Sequence, residues 1–167
     1  MPREARNVVI VGSGNVAHHL GNAFKRSQNK LIGVISRNQE RGERLAFELG
    51  CPFIDTMADI PSKADIILLT VSDDAISEVA QQIFCPGKLV VHTSGNIPIS
   101  ALGDASDRLG VFYPLQTMHR NTEVQMKEVP FCIEANTKWG EGMLMELAYS
   151  ISGSVHLVNS EQRRIMH

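Results

Sequence analysis

Apolar positions along this chain follow two rhythms in alternation. Val8, Val9, Ile10 and Val11 form an unbroken apolar run, the mark of a parallel strand buried on both faces. After a glycine turn, Val16, Ala17, Leu20, Ala23 and Phe24 recur at helical spacing and define one apolar face. The succession then repeats. A second strand is expected over 31–35, followed by a helix with Leu45, Ala46 and Leu49 on its buried face and Gly50 as its stop. Pro52, Phe53 and Ile54 predict a short third strand. Residues 66–71 give the strongest strand signal of the chain. Ile76, Val79, Ala80 and Ile83 mark a further amphipathic helix that breaks at Pro86 and Gly87, before a strand at Leu89, Val90 and Val91. Three more strands are expected over 111–113, 131–133 and 155–158. Between the last two, Trp139, Met143, Leu144, Leu147, Ala148 and Ile151 form a helix face. Strands alternating with helices predict an α/β fold with a doubly wound, mostly parallel sheet.

The pattern contains no internal repeat and no low-complexity linker. Its last stretch, 159–167, reads as the opening of a helix. Ser160 is the candidate N-cap, with Arg163 where a capping box prefers Glu. A helix of two turns is a poor end for a domain. Residues 1–158 are therefore expected to form the domain, and 159–167 to lead into a second, helical one.

Composition narrows the partners. A chain of 167 residues with a formal charge of −2 offers no electrostatic reason to bind nucleic acid or an anionic membrane. No apolar run approaches a membrane span, and Met1 to Arg6 lead into an apolar stretch too short for a signal-peptide core. Cys51, Cys85 and Cys132 are odd in number and widely spaced, so they read as reduced thiols and not as a disulfide framework or zinc site. The expected location is the cytoplasm.

The chemistry begins at Gly12, Ser13, Gly14, Asn15, Val16 and Ala17, a G-x-G-x-x-A turn directly after the first strand and opening the first helix. Gly12 permits the tight turn, Gly14 lets the backbone approach a pyrophosphate, and Ala17 lets the helix pack close to the sheet. The first-turn N–H groups and the positive end of the helix dipole then hold phosphates. The bland alternative is a strand–helix turn that binds nothing. Position, spacing and flanks favour a dinucleotide and the Rossmann-type fold. His18 and His19 have no ligand-spaced companions and read as structural, one facing solvent and one packed along the sheet edge.

An NAD-specific domain carries Asp or Glu at the end of its second strand, where the carboxylate binds the ribose hydroxyls. Here that place holds Ser36, Arg37 and Asn38, with Arg41 four residues on. Ser and Arg suit a 2′-phosphate, so the expected cofactor is NADP, as NADPH. Further along the cleft, Val71 and Ser72 are expected beside the cofactor, with Asp73 or Asp74 capping the next helix. Ser94 is a cofactor-side candidate. Gly95, Tyr113, Gln116, Thr117 and His119 are candidates for the substrate side, and His92 reads as hydrogen-bonded scaffold. No Ser-His-Asp set, Tyr-x-x-x-Lys or metal cluster is present in the pattern, so the catalytic residues stay unassigned.

Together these segments, with the stretch over 113–117 the most specific, resemble a Rossmann-like NADP-oxidoreductase-type family. Its members pair this domain with an all-helical C-terminal domain. The wider superfamily includes pyrroline-5-carboxylate reductase and 6-phosphogluconate dehydrogenase. The resemblance covers the N-terminal half of such a protein. It implies an NADP-dependent oxidoreductase acting on a small carbonyl, imine or alcohol, and a homodimer formed mainly through the helical domain. The competing reading is a non-catalytic module that senses NADP(H).

Overall fold

The computed structural model describes residues 4–167. Met1, Pro2 and Arg3, part of the segment read above for a signal sequence, lie outside the described residues. In chain order the elements are β1 (Asn7–Val11), α1 (Asn15–Lys25), β2 (Lys30–Ile35), α2 (Gln39–Leu49), β3 (Ile66–Leu69), α3 (Asp73–Ala80), β4 (Leu89–His92), β5 (Arg108–Pro114), β6 (Pro130–Ala135), α4 (Lys138–Tyr149), β7 (Ser154–Leu157) and α5 (Ser160–Met166). The strands form one sheet in the order β2-β1-β3-β4-β5-β6-β7. The first five are parallel, β6 runs antiparallel to β5, and β7 runs parallel to β6. This is the doubly wound, mostly parallel α/β architecture of the Rossmann type.

Alternate strand residues supply two cores. Val8, Ile10, Leu68, Val91 and Phe112 pack with Leu20 and Phe24 of α1, Leu45 of α2 and Leu144 of α4. Val9, Val11, Leu69 and Val90 pack on the other face with Ile76 and Ala80 of α3. Burial on both faces explains why these strands read as apolar runs instead of alternating ones. Helix α2 stops at Gly50, whose φ of +72° is the left-handed cap that a side chain adopts only with strain.

Several details depart from the sequence expectations. The third helix ends at Ala80, so Ile83 packs on the core from the turn that follows it. The strand expected at 52–54 shrinks to one bridge between Val34 and Phe53, because Pro52 has no N–H to donate and lies outside the edge strand β2. The strand over 66–71 ends at Leu69, although Thr70 still donates its N–H to the Val11 carbonyl. Trp139 is exposed instead of buried; Arg108 stacks over its ring at 3.9 Å to the centroid. The cap of α5 is Asn159, not Ser160, and with Gln162 at the third helical position it forms a complete capping box. Among the described residues, no helix is long and apolar enough to cross a membrane.

Candidate functional site

Strand order reverses between β2-β1 and β1-β3, so the crevice over the carboxyl ends of β1 and β3 is the topological switch point. A cleft of about 630 Å³ opens there. Its floor is the glycine turn. Gly12 adopts φ +122° and donates its N–H to the Ile35 carbonyl at 2.7 Å, which ties the turn to the end of β2. A Cβ on Gly12 would fall on the Thr70 hydroxyl. At Gly14 the opposite holds, because a Cβ there would meet no protein atom within 4 Å. No packing need inside the protein accounts for the second glycine, whereas a phosphate brought against the backbone does.

Helix α1 differs from its neighbours in the way it begins. Asn38, Thr137 and Asn159 cap α2, α4 and α5 through their side chains. Helix α3 lacks such a bond but carries Asp73 and Asp74 in its first turn, so these carboxylates act on the dipole and not as the expected cap. Among the described α-helices, α1 alone has neither a side-chain cap nor an acidic residue in its first turn. The N–H groups of Asn15, Val16 and Ala17 have no intrahelical acceptor, which leaves a ready anion site. Ala17 itself is buried against the sheet, and Val16 packs at the core's edge.

At the other end of the cleft, Ser36, Arg37 and Arg41 line the wall beyond β2. The Ser36 and Ser13 hydroxyls are 2.8 Å apart. Asn38 accepts the Arg41 N–H at 3.0 Å and so starts α2 where Arg41 joins Arg37. Asp55 and Glu78 also line the cleft, yet neither forms an ion pair with these arginines. Val71 and Ser72 complete the lining from the end of β3. Thr70 and residues 55–57 line it too, and sequence reading missed them. Thr70 was hidden inside an apparent strand, and 55–57 carry no local signal.

The remaining candidates lie elsewhere. The Ser94 hydroxyl is buried and accepts the N–H groups of Asn96 and Ile97, so it shapes its own loop instead of lining the cleft. Gly95 is buried under Tyr113, whose hydroxyl is 2.7 Å from Nδ1 of His167. Burial pushes the Tyr113 phenol up from its ordinary value. Gln116, Thr117 and His119 are exposed in the loop after β5. That loop is strapped across α1, where the Arg120 N–H donates to the Asn15 side chain and the His119 carbonyl contacts His19 at 2.6 Å. His18 sits 3.2 Å from Glu48. Neither histidine therefore faces solvent freely or lies along the sheet edge, as the sequence suggested. His92 is the scaffold expected: Nδ1 accepts the Ser94 N–H at 3.0 Å, which leaves Nε2 to donate to the Pro98 carbonyl. Burial lowers its pKa to about 4, so the ring is neutral at physiological pH.

Comparisons with known proteins agree with this geometry. Residues 6–93 match a family described as oxidoreductases with an NAD-binding Rossmann fold. No curated protein matches the chain. Among solved structures, a Bacteroides fragilis protein provisionally assigned as an NADP oxidoreductase is 33% identical, with a TM-score of 0.89 over 98% of this chain and 64% of its own. A 1-pyrroline-5-carboxylate reductase from Streptococcus pyogenes is 16% identical, with a TM-score of 0.77 over 95% of this chain and 60% of its own. A prephenate dehydrogenase from A. aeolicus, seen with NAD+, is 15% identical, with a TM-score of 0.78 over 98% and 63%. The last two share the fold. The chain spans 60–64% of the length of these structures.

Proposed function

The chain belongs to the oxidoreductase family with the NAD-binding Rossmann fold, and from that membership we propose that it is the NADP(H)-binding part of an oxidoreductase. The reaction moves hydride between the nicotinamide and a small carbonyl, imine or alcohol. One observation carries the choice of NADP over NAD: Arg37 and Arg41 line the cleft at the end of β2, and no ion pair to either is found among the described residues. An unpaired guanidinium is a costly neighbour for another cation and a favourable one for a 2′-phosphate. The relative from B. fragilis, assigned to NADP, supports the same choice. The phosphates are held by the glycine turn and the uncapped start of α1, and Ser72 and Val71 flank the nicotinamide side.

On this reading, 159–167 are the first turns of the helix that joins a helical domain. That domain completes the substrate pocket and carries most of a homodimer contact. The three free thiols fit a cytoplasmic setting.

The test is a pair of dissociation constants, for NADPH and NADH, in wild type and Arg37→Ala at one salt concentration. Wild type is expected to prefer NADPH. Loss of a charge-assisted hydrogen bond is worth about 1.5–3 kcal/mol, so NADPH affinity should fall roughly tenfold or more while NADH affinity changes little. Equal losses for both cofactors overturn the NADP assignment.

A further inference from the structure

A buried ionic cluster lies outside the cleft, on the side of the sheet that α3 covers. Arg163 of α5 is fully buried. Its Nη1 donates to Glu134 of β6 at 2.6 Å, and its Nη2 donates to the Ile97 carbonyl. The Ser160 hydroxyl donates to the same Glu134 oxygen at 2.7 Å. Nε of Arg163 has no hydrogen-bond partner. Just past the end of α5, His167 and Tyr113 meet over Gly95, where a Cβ would come within 2.6 Å of the His167 ring and 2.7 Å of the Tyr113 ring. From below, His92 holds the Ser94 N–H and the Pro98 carbonyl. The loop over 94–98 is therefore held by hydrogen bonds at Ser94, Ile97 and Pro98, the one to Ile97 coming from α5, and His167 just after α5 closes over Gly95.

Stability alone does not explain this arrangement. Desolvating a guanidinium costs several kcal/mol in general, and apolar residues of similar volume commonly serve a core as well. An ionic pair with an unsatisfied Nε fixes geometry at the expense of stability. The geometry it fixes is that of a loop at the carboxyl end of β4, beside the end of β3 where Val71 and Ser72 line the cleft. Ligands of doubly wound sheets cross these strand ends.

We propose that Arg163 is a positioning residue for the nicotinamide end of the cleft. It holds the 94–98 loop in place through the Ile97 carbonyl and does not touch the cofactor. This rests on the NADP(H) reading above. The role needs the planar fork of a guanidinium, which reaches two acceptors at once; a lysine keeps the charge but loses the fork.

The experiment titrates wild type and Arg163→Lys with two ligands, 2′-phospho-ADP-ribose, which lacks nicotinamide, and NADPH, followed by nicotinamide fluorescence. In wild type NADPH binds more tightly than the fragment, and its emission rises as the ring is sheltered. In Arg163→Lys the fragment's affinity stays within about twofold, while the advantage of NADPH over the fragment falls roughly tenfold and the emission gain is lost. Equal changes for both ligands, or none, overturn the proposal. Should Arg163→Lys fail to fold by circular dichroism, Glu134→Gln keeps an acceptor but removes the ionic partner. It is expected to show the same selective loss, and an unchanged NADPH signal there overturns the role. Wild type that binds neither ligand overturns the NADP(H) reading itself. Wild type that binds both equally, without an emission gain, overturns only the positioning inference.

Discussion

The hydroxyls of Ser13 and Ser36 lie 2.8 Å apart and join the glycine turn to the end of β2 across the floor of the cleft. The contact fixes where position 36 sits relative to the phosphate turn. It also makes that position a lever on cofactor choice. In Ser36→Asp the carboxylate can accept the Ser13 O–H and draw on the charge of Arg37 and Arg41, removing the attraction for a 2′-phosphate and adding repulsion. It also supplies the acceptor that a ribose hydroxyl needs. NADPH affinity should fall by at least roughly tenfold and the NADPH-to-NADH ratio should invert. Paired dissociation constants at fixed ionic strength decide it, because screening alters the phosphate interaction far more than the hydroxyl one. A variant that still prefers NADPH rules out position 36 as the discriminator.

The glycine turn makes different demands on its two glycines, Gly12 and Gly14. Gly12 combines φ +122° with a Cβ position that falls on the Thr70 hydroxyl, so Gly12→Ala strains the fold itself. Strain of this kind costs on the order of 1–3 kcal/mol. For a chain of this size Tm should fall by roughly 2–4 °C per kcal/mol. Gly14 has φ −89° and open space where a Cβ would stand. Gly14→Val should therefore leave Tm within a few degrees while NADPH affinity falls at least roughly tenfold, the branched side chain occupying the place of the pyrophosphate. Thermal melts and a binding titration on both variants separate the two demands. Undiminished NADPH affinity in a folded Gly14→Val protein removes the turn from the binding site.

The contrast between these glycines shows what was legible beforehand. The turn, the strand it follows and the helix it opens are local in sequence, and their rhythm of apolar residues is set by burial on two faces of one sheet. Arg37 and Arg41 were readable for the same reason, since strand end, cap residue and helix start follow one another within a few positions. Contacts made across long separations were not readable. Glu134 and Ile97 meet Arg163 only because β6 returns antiparallel beside β5 and α5 then packs back over the sheet. Ser94 looked like a ligand contact because its loop follows β4, but its hydroxyl satisfies the loop's own N–H groups. The cap of α5 was misjudged by one residue, and that shift hid a complete capping box.

The cysteines should be slow to react. Burial pushes the Cys51 thiol up to about 11 and raises Cys85 and Cys132 as well. Because the thiolate is the reacting species, only about one Cys51 in a thousand is reactive near pH 8. A colorimetric disulfide reagent at that pH should label Cys51 in the native protein at least roughly tenfold more slowly than a free thiol. After unfolding, all three thiols should react promptly. Prompt labelling of Cys51 in the native protein contradicts the desolvation of its thiol.

His92 should make stability depend on pH in a defined window. Its folded pKa is lowered to about 4 from 6.5, chiefly by burial. As the pH falls below 6.5 the unfolded chain takes up a proton at this site, whereas the folded protein does so only near pH 4. The unfolded state therefore binds more protons between those values, and stability drops as the pH falls through them. Above 6.5 the contribution is fully present; below about 4 it is gone. A shift of this size corresponds to on the order of 3 kcal/mol. Carboxylates also titrate at the lower end of the window, so the informative quantity is a difference between two proteins. In His92→Asn the amide oxygen can accept the Ser94 N–H and the amide nitrogen can donate to the Pro98 carbonyl, without a titrating group. That variant should be less stable at pH 7 because it fills less volume, yet lose less stability than wild type between pH 6.5 and 4.5. Urea unfolding at several pH values in the window measures both slopes. Parallel slopes would mean that His92 is protonated alike in both states, and a buried, neutral His92 supporting the 94–98 loop would have to be abandoned.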